Sequence, residues 1–269
     1  MFTRMNFSML RAIWLYRGFV LGSVKREFQV KYRNSLLGAT WSILNPLAMI
    51  LVYTVIFSQI MRARLPGVDS TFAYSIYLCA GSLTWGLFSE IANRGQTVFL
   101  ENASLLKKIS FPRLCLPLVV VINAGINFGI IFGLFTVFLI ISGNFPGLVF
   151  LSIVPIIIIL VLFAIGLGVT LGVLNVFFRD VGQFFNIFLQ FWFWFTPIVY
   201  ASSVLPAYAQ FWMKLNPLAS LMAAFQDVLV QGIAPDWGSL VYPFLIALLS
   251  CLIGMRLFLR HVGDMVDEL

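Results

Sequence analysis

The chain alternates long apolar stretches with short polar breaks, and their lengths predict its elements. One membrane crossing takes about 20 residues. Charge-free sequence runs from Leu36 to Met61 and from Ser70 to Ser89. A longer uncharged run, Leu114–Phe178, is divided by the turn cluster Ser142-Gly143-Asn144-Phe145-Pro146-Gly147 into spans near 115–141 and 148–176. A fifth span, near 184–200, is dense in aromatics, and a sixth lies near 238–256. Pro46 should kink the first span. Between the last two, Pro206, Pro217 and Pro235 break the chain too often for a crossing. Leu218, Leu221, Met222, Phe225, Val228 and Leu229 nevertheless repeat at helical spacing, with Ser220, Gln226, Asp227 and Gln231 on other faces. Asn216-Pro217 should start this short helix and Gly232 stop it; it is either re-entrant or lies on the surface. The expected fold is an all-α polytopic membrane protein of six transmembrane helices.

The first 35 residues read differently. Arg4, Ser8, Arg11, Gly18, Gly22, Lys25 and Arg26 share one helical face, while Phe7, Leu10, Trp14 and Leu21 lie away from it. This is the pattern of a helix lying in the membrane interface. Arg11 and Arg17 interrupt the apolar stretch, which argues against a signal peptide. The chain therefore divides into an interfacial helix over 1–35 and a six-span membrane domain over 36–269. A second polar region, Glu90–Arg113, reads as a membrane-surface loop carrying Glu90, Arg94, Glu101, Lys107, Lys108 and Arg113. Gly125, Gly129 and Gly133, and Gly168 and Gly172, are spaced for close helix packing.

Composition agrees with this reading: 61% of the 269 residues are hydrophobic and 10% charged, with mean hydropathy +0.99. Soluble domains carry about 25% charged residues. The net charge of +7 sits beside apolar spans, which favours anionic lipid headgroups over nucleic acid. Seven Lys/Arg precede the first span, four lie in the polar region, and Arg179, Arg256 and Arg260 share that side; only Arg62, Arg64 and Lys214 oppose them. The positive-inside rule then puts both termini and the polar region in the cytoplasm. Cys79, Cys115 and Cys251 lie in apolar segments without metal spacing and read as small buried hydrophobes. His261, beside Arg260, is expected to be exposed. No metal-ligating or triad-like set stands out, and GLGVTLGV at 166–173 lacks a P-loop lysine. Charges cluster at span ends; Asn123, Asn127 and Asn175 are the strong polar groups within spans, suited to bonding between helices.

Four segments carry a family resemblance: KREFQVKYRNSLLGATWSILNPL, NASLLKKISFPRLCLPL, FFRDVGQFFNIFLQFWFWFTPIVY and LNPLASLMAAFQDVL. Together they resemble the type-2 ABC transporter permeases, in the branch that exports lipid-linked polysaccharides (O-antigen, capsule, teichoic acid). The first is similar to the family's basic helix, Leu-Gly turn and Trp-containing first span. The second resembles its cytoplasmic loop, the third its fifth-span signature, and the fourth the helix that follows. The resemblance implies a homodimer in a bacterial cytoplasmic (inner) membrane, working with two ATP-binding cassette subunits that bind ATP and Mg. No cofactor is expected on this chain, which is not expected to be an enzyme. It also implies a cytoplasmic coupling helix at Glu101, Asn102, Leu105, Lys107 and Lys108, with Leu106 and Ile109 on its apolar side and Pro112 ending it; a plain basic loop that sets topology is the alternative.

Under the same resemblance, the pyrophosphate headgroup of a lipid-linked polymer would arrive near Lys25, Arg26, Lys31, Arg33, Leu37 and Gly38. Attraction to bulk anionic lipid explains those cations equally well. Trp41, Tyr53, Trp192 and Trp194 are candidates to line a polymer channel, or else form an interfacial belt. Arg179-Asp180 marks a cytoplasmic turn. Two rival functions remain: export of a small hydrophobic compound on the same fold, and a membrane enzyme of glycolipid assembly.

Overall fold

In a computed structural model of the chain, the described residues are 14–33, 38–60, 65, 71–108 and 113–268, with backbone alone at Lys31, Tyr32, Ala39, Gln59, Lys108 and Ser203. Within them all the regular secondary structure is helical. The helices are α1 (Arg17–Tyr32), α2 (Trp41–Tyr53), α3 (Ala73–Glu101), α4 (Ala103–Lys108), α5 (Cys115–Ile141), α6 (Ile153–Phe177), α7 (Asp180–Trp194), α8 (Ala207–Lys214), α9 (Pro217–Gln226), α10 (Trp237–His261) and α11 (Asp264–Glu268). A wide π-helical stretch, Thr54–Ile60, extends α2, and a second, Asp227–Gln231, extends α9. Predicted features at residues 1–13, Leu37, Ile109 and Pro112 lie outside the described residues, as do the side chains of Lys31 and Lys108.

Four helical segments are long and apolar enough to cross a membrane: 41–58, 115–141, 147–177 and 237–261. Two of the predicted spans take a different form. The polar region does not begin as a loop, because residues 90–101 continue α3 to a length of 29 residues. Polar partners from α1 and α5 meet its side chains, so the helix need not end where charge begins. The fifth stretch starts at Asp180 and stops at Trp194, giving a helix of 15 residues. At 1.5 Å per residue this is about 22 Å, short of the roughly 30 Å hydrocarbon core.

Helix α6 is the centre of the bundle, clasped between α3 and α10. Lipid offers no hydrophobic force between helices, so close backbone approach has to hold them. A Cβ on Gly95 would sit 2.9 Å from Gly168 Cα, and one on Gly172 would sit 2.6 Å from the Gly95 carbonyl oxygen. On the other side of α6, a Cβ on Gly166 would lie 2.5 Å from the Cys251 nitrogen. Thus Gly168 and Gly172 pack as their spacing suggests. Gly125, Gly129 and Gly133 do not: among the described residues nothing approaches their Cβ positions within 4 Å, and the stripe is exposed.

Opposite the basic end, the chain turns back without regular helix at Thr196–Tyr200. Free backbone carbonyls here are costly unless the protein satisfies them. The Tyr77 hydroxyl shares its one proton between the Pro197 and Tyr200 carbonyls, 3.0 and 2.9 Å away, and Tyr74 donates to the Val199 carbonyl at 2.6 Å. Gln226 Nε2 donates to the Pro197 carbonyl at 3.2 Å. Gln226 is only 2% exposed, so it belongs to the interior rather than to the polar face that helical spacing suggests. Asn216 joins the returning chain to α7. Its Oδ1 caps α9 through the Leu218 amide and accepts from Trp192 Nε1, both at 3.1 Å. Its Nδ2 donates to the Phe195 carbonyl and to Thr196 Oγ1. Gly232 ends the helix at φ +66°, the left-handed conformation a glycine allows. With Leu218, Leu221, Met222 and Phe225 all buried, α9 is inserted among α3, α6 and α10.

Candidate functional site: a polar cavity, a surface helix and an aromatic bowl

At the basic end, α1 lies along α5 by a narrow seam. Val20 and Val24, four residues apart, are buried, while Trp14, Leu21 and Val30 stay exposed. Glu27 falls on the same seam, one turn beyond Val24. It ion-pairs with Arg94 of α3, and its Oε2 accepts from Asn123 Nδ2 of α5 at 2.6 Å. Helix α3 presents Glu90 and Arg94 one turn apart, 3.8 Å from each other, and helix α5 presents Asn123 and Asn127 with the same spacing. Asn127 Nδ2 donates to Glu90 Oε2 at 3.0 Å. These groups line a cavity of about 560 Å³, together with Ser23, Arg26, Asn102 and Leu105. By helix rise, Asn123 and Asn127 lie about 12 and 18 Å along α5 from Cys115. Charge therefore reaches well into the bundle, whereas the sequence pattern suggests charges only at span ends. Ionisable groups at such depth mark function more often than packing.

Glu27 is the residue that sequence reasoning passes over. It is the single acid among the first 34 residues. A lone carboxylate in a basic helix calls for a specific partner, and that was the available signal.

The short helix α4 rests on a second apolar cluster. Leu106 is buried with Val20 and Val24 of α1, Cys115 of α5, Phe258 of α10 and Met265 of α11. Asn102 ends α3 and starts α4: its Nδ2 donates to the Val98 carbonyl, and its own carbonyl accepts from the Leu105 and Leu106 amides at 3.0 Å. Arg113 Nη1 donates to the Val262 carbonyl, tying the following segment to the end of α10. Of the predicted coupling residues, Glu101 and Lys107 are exposed, and Ser104 joins them three residues apart on one outward stripe. Asn102 and Leu105 instead make contacts within the chain.

Lys25, Arg26 and Arg33 are exposed, and Gly38 adopts φ +52° at the turn that leads into α2. Arg179 and Asp180 are exposed, with the Asp180 carboxylate at the α7 N-terminus, where the helix dipole favours it. This turn is shaped by Asn175, whose Nδ2 donates to the Gln96 carbonyl at 2.9 Å and whose Oδ1 accepts from the Gly182 amide at 3.1 Å. His261 is half-buried against the Phe177 ring rather than exposed, its Nδ1 3.4 Å from Asp264.

At the opposite end, Phe188, Phe191, Trp192, Trp194, Tyr208 and Trp212 contribute to a bowl of about 740 Å³. The structure brings Trp192 and Trp194 together there, but not Trp41 or Tyr53. Trp41 is exposed on α2, and Tyr53 packs edge-on against Phe57 at 6.2 Å. Trp192 also stands edge-on to Phe88 at 5.3 Å, so its own ring is partly built into the core. Between the two ends, α7 exposes Gln183 and Gln190 among Phe184, Ile187 and Phe191.

The chain is 33% identical over 208 residues to an O-antigen export system permease protein RfbA of Klebsiella pneumoniae, covering 77% of this chain and 78% of that protein. It is 30% identical to the protein of that name from Myxococcus xanthus, covering 85% and 86%. With the polysialic acid transport protein KpsM of Escherichia coli it shares 23% identity, covering 87% and 89%. Residues 20–230 match the family described as ABC-2 type transporter, a stretch that holds the polar cavity, α4, the whole of α7 and the outer turn. The chain, a multi-pass all-α membrane protein, belongs to the ABC-2 type transporter family.

Proposed function

We propose that this chain is the permease subunit of an ABC exporter that moves lipid-linked polysaccharide, O-antigen-like in kind, across a bacterial cytoplasmic membrane. ATP and Mg are bound on two separate ATP-binding cassette subunits, and two copies of this chain form the path. The observation that carries the reading is the exposed face of α7. Uncharged amides facing lipid without partners are unfavourable. Gln183 and Gln190 therefore call for water or polymer, and the rings around them suit the C–H faces of sugars. Such a face fits a channel closed by a second copy. The relatives' names, O-antigen export permease and polysialic acid transport protein, support the substrate class.

In this reading the membrane domain covers 36–269 and is crossed six times. Four crossings are the long apolar helices. The fifth is α7 continued by the outer turn, and α3 makes the sixth despite its charges. Both termini lie in the cytoplasm. The ATPase pushes on α4 through Glu101, Lys107 and Lys108. That push reaches α1 and α10 through Leu106, which touches the same apolar cluster as both. Lys25, Arg26, Lys31, Arg33 and the Leu37-Gly38 turn meet the headgroup, and Trp192 and Trp194 flank the exit.

Deleting the gene in its native cell and fractionating glycan tests this. Polymer trapped inside with the surface depleted is the expected result. Polymer lost from both pools, with feedback on synthesis excluded, would favour an assembly enzyme. Unchanged pools would overturn the polysaccharide assignment in favour of a small hydrophobic cargo.

A further inference from the structure

The polar cavity is a cluster of hydrogen-bond donors filled by the chain's own carboxylate. Arg94, Asn123 Nδ2 and Asn127 Nδ2 all point their donors at Glu27 or Glu90. Arg26 lines the same cavity, and among the described residues it has no carboxylate partner. Asn123 is 5% exposed, and its Nδ2 donor is aimed into the cavity at Glu27. The Glu27–Arg94 pair is itself far from sealed, with 45% and 35% of the two side chains exposed. Pairs that open to solvent hold weakly. Arginine prefers phosphate oxygens as readily as carboxylate, and a pyrophosphate brings more charge than Glu27 can.

We propose that Glu27 is an internal stand-in for a phosphate. A polyprenyl pyrophosphate headgroup entering beside α1 displaces the Glu27 carboxylate from Arg94 and Asn123, and this breaks the polar ties of α1 to α3 and α5 and loosens the helix on its apolar seam. The inference rests on the transport reading for its substrate class, but its core is a property of this chain alone. Unliganded, Glu27 latches α1 down. Liganded, Arg94 and Arg26 hold the phosphate, and α1 keeps its apolar contacts, Val20 and Val24 among them, without the charged latch. No bond is made or broken covalently. One anion replaces another in the same donor set, and the freed carboxylate meets water, to which it is already half exposed.

The test uses the full-length chain in lipid nanodiscs, with hydrogen exchange read over residues 17–32 and binding read with polyprenyl pyrophosphate. In the wild type, the lipid should speed exchange of α1 amides, and polyprenol, which lacks the phosphates, should not. Glu27→Gln should exchange at the released rate without ligand and bind polyprenyl pyrophosphate about fivefold more tightly, the size expected for losing an exposed ionic competitor. Glu27→Asp keeps the charge and should bind as the wild type does, and Arg94→Gln should lose binding. Unchanged or weaker binding by Glu27→Gln, or α1 exchange that ignores the lipid, overturns the latch. If inorganic pyrophosphate alone gives the whole effect, the ligand is a soluble anion and the headgroup assignment fails. Surface glycan after gene deletion is read separately, so the latch and the transport reading can fail independently.

Discussion

The two ends of this molecule are joined by opposite means. At the end opposite the basic one, non-helical backbone at 195–200 is held by neutral donors, Tyr74, Tyr77, Asn216 and Gln226, and Gln226 is almost wholly buried. At the basic end, α1 is held by an apolar seam that includes Val20 and Val24 and by charges that remain partly in contact with solvent. A buried neutral bond such as that from Gln226 to the Pro197 carbonyl is costly to break, because its loss takes a donor from a carbonyl shielded from water. Exposed charge pairs are cheap to exchange, because water or another ion takes the place of the lost partner. The outer turn is thus built to stay, and the α1 contact to open.

That contrast can be broken or sharpened by substitution. The largest effect on stability should follow Leu106→Ala, which empties part of the cluster joining α1, α4, α10 and α11. A loss of about 3 kcal/mol is expected for a buried leucine, read as a lower midpoint of thermal unfolding in detergent. Asn216→Ala removes a helix cap and leaves Trp192 Nε1 and the Phe195 carbonyl unpaired. About 2 kcal/mol should be lost, with exchange rising across residues 195–220. If Asn216→Ala instead unfolds nothing, the outer turn is not the rigid end.

Gln226→Leu keeps the volume but removes one of the two donors at the Pro197 carbonyl and leaves Tyr77, at about 1 kcal/mol. Smallest should be Arg94→Lys, which keeps one charge yet loses the planar fork, costing less than about 1 kcal/mol in stability. Raising the salt concentration to about 1 M should then separate the ends outright. Screening at that strength reaches within about 3 Å, so α1 amides should exchange faster while those of residues 196–200 do not change. Equal responses at both ends would mean that charge does not hold α1.

Much of this architecture was legible as a one-dimensional pattern. Helix class, the breaks at Ser142–Gly147 and Asn216-Pro217, the stop at Gly232 and the polarised basic residues all follow from local preference and from the length a bilayer imposes. Each depends on neighbours within a few residues, so sequence carries it. The same locality fell short at Gln226, which helical spacing set apart from the apolar face although it is buried, and at Gly125, Gly129 and Gly133, whose spacing is right for a contact that the described residues do not make. A period says which residues share a face; it does not say what lies opposite.

The sequence by itself therefore determined that this is a polytopic helical protein, which side carries its positive charge, and which segments resemble a permease. Only the tertiary structure decided that α3 runs unbroken through Glu90 and Arg94, that α7 stops short, and that Glu27 meets Arg94 across 67 positions and Asn123 across 96. The physical reason is that a charge within a span is tolerable only when a partner from another helix meets it, and the identity of that partner is a fact of packing, set by where Gly95, Gly166, Gly168 and Gly172 let the backbones touch.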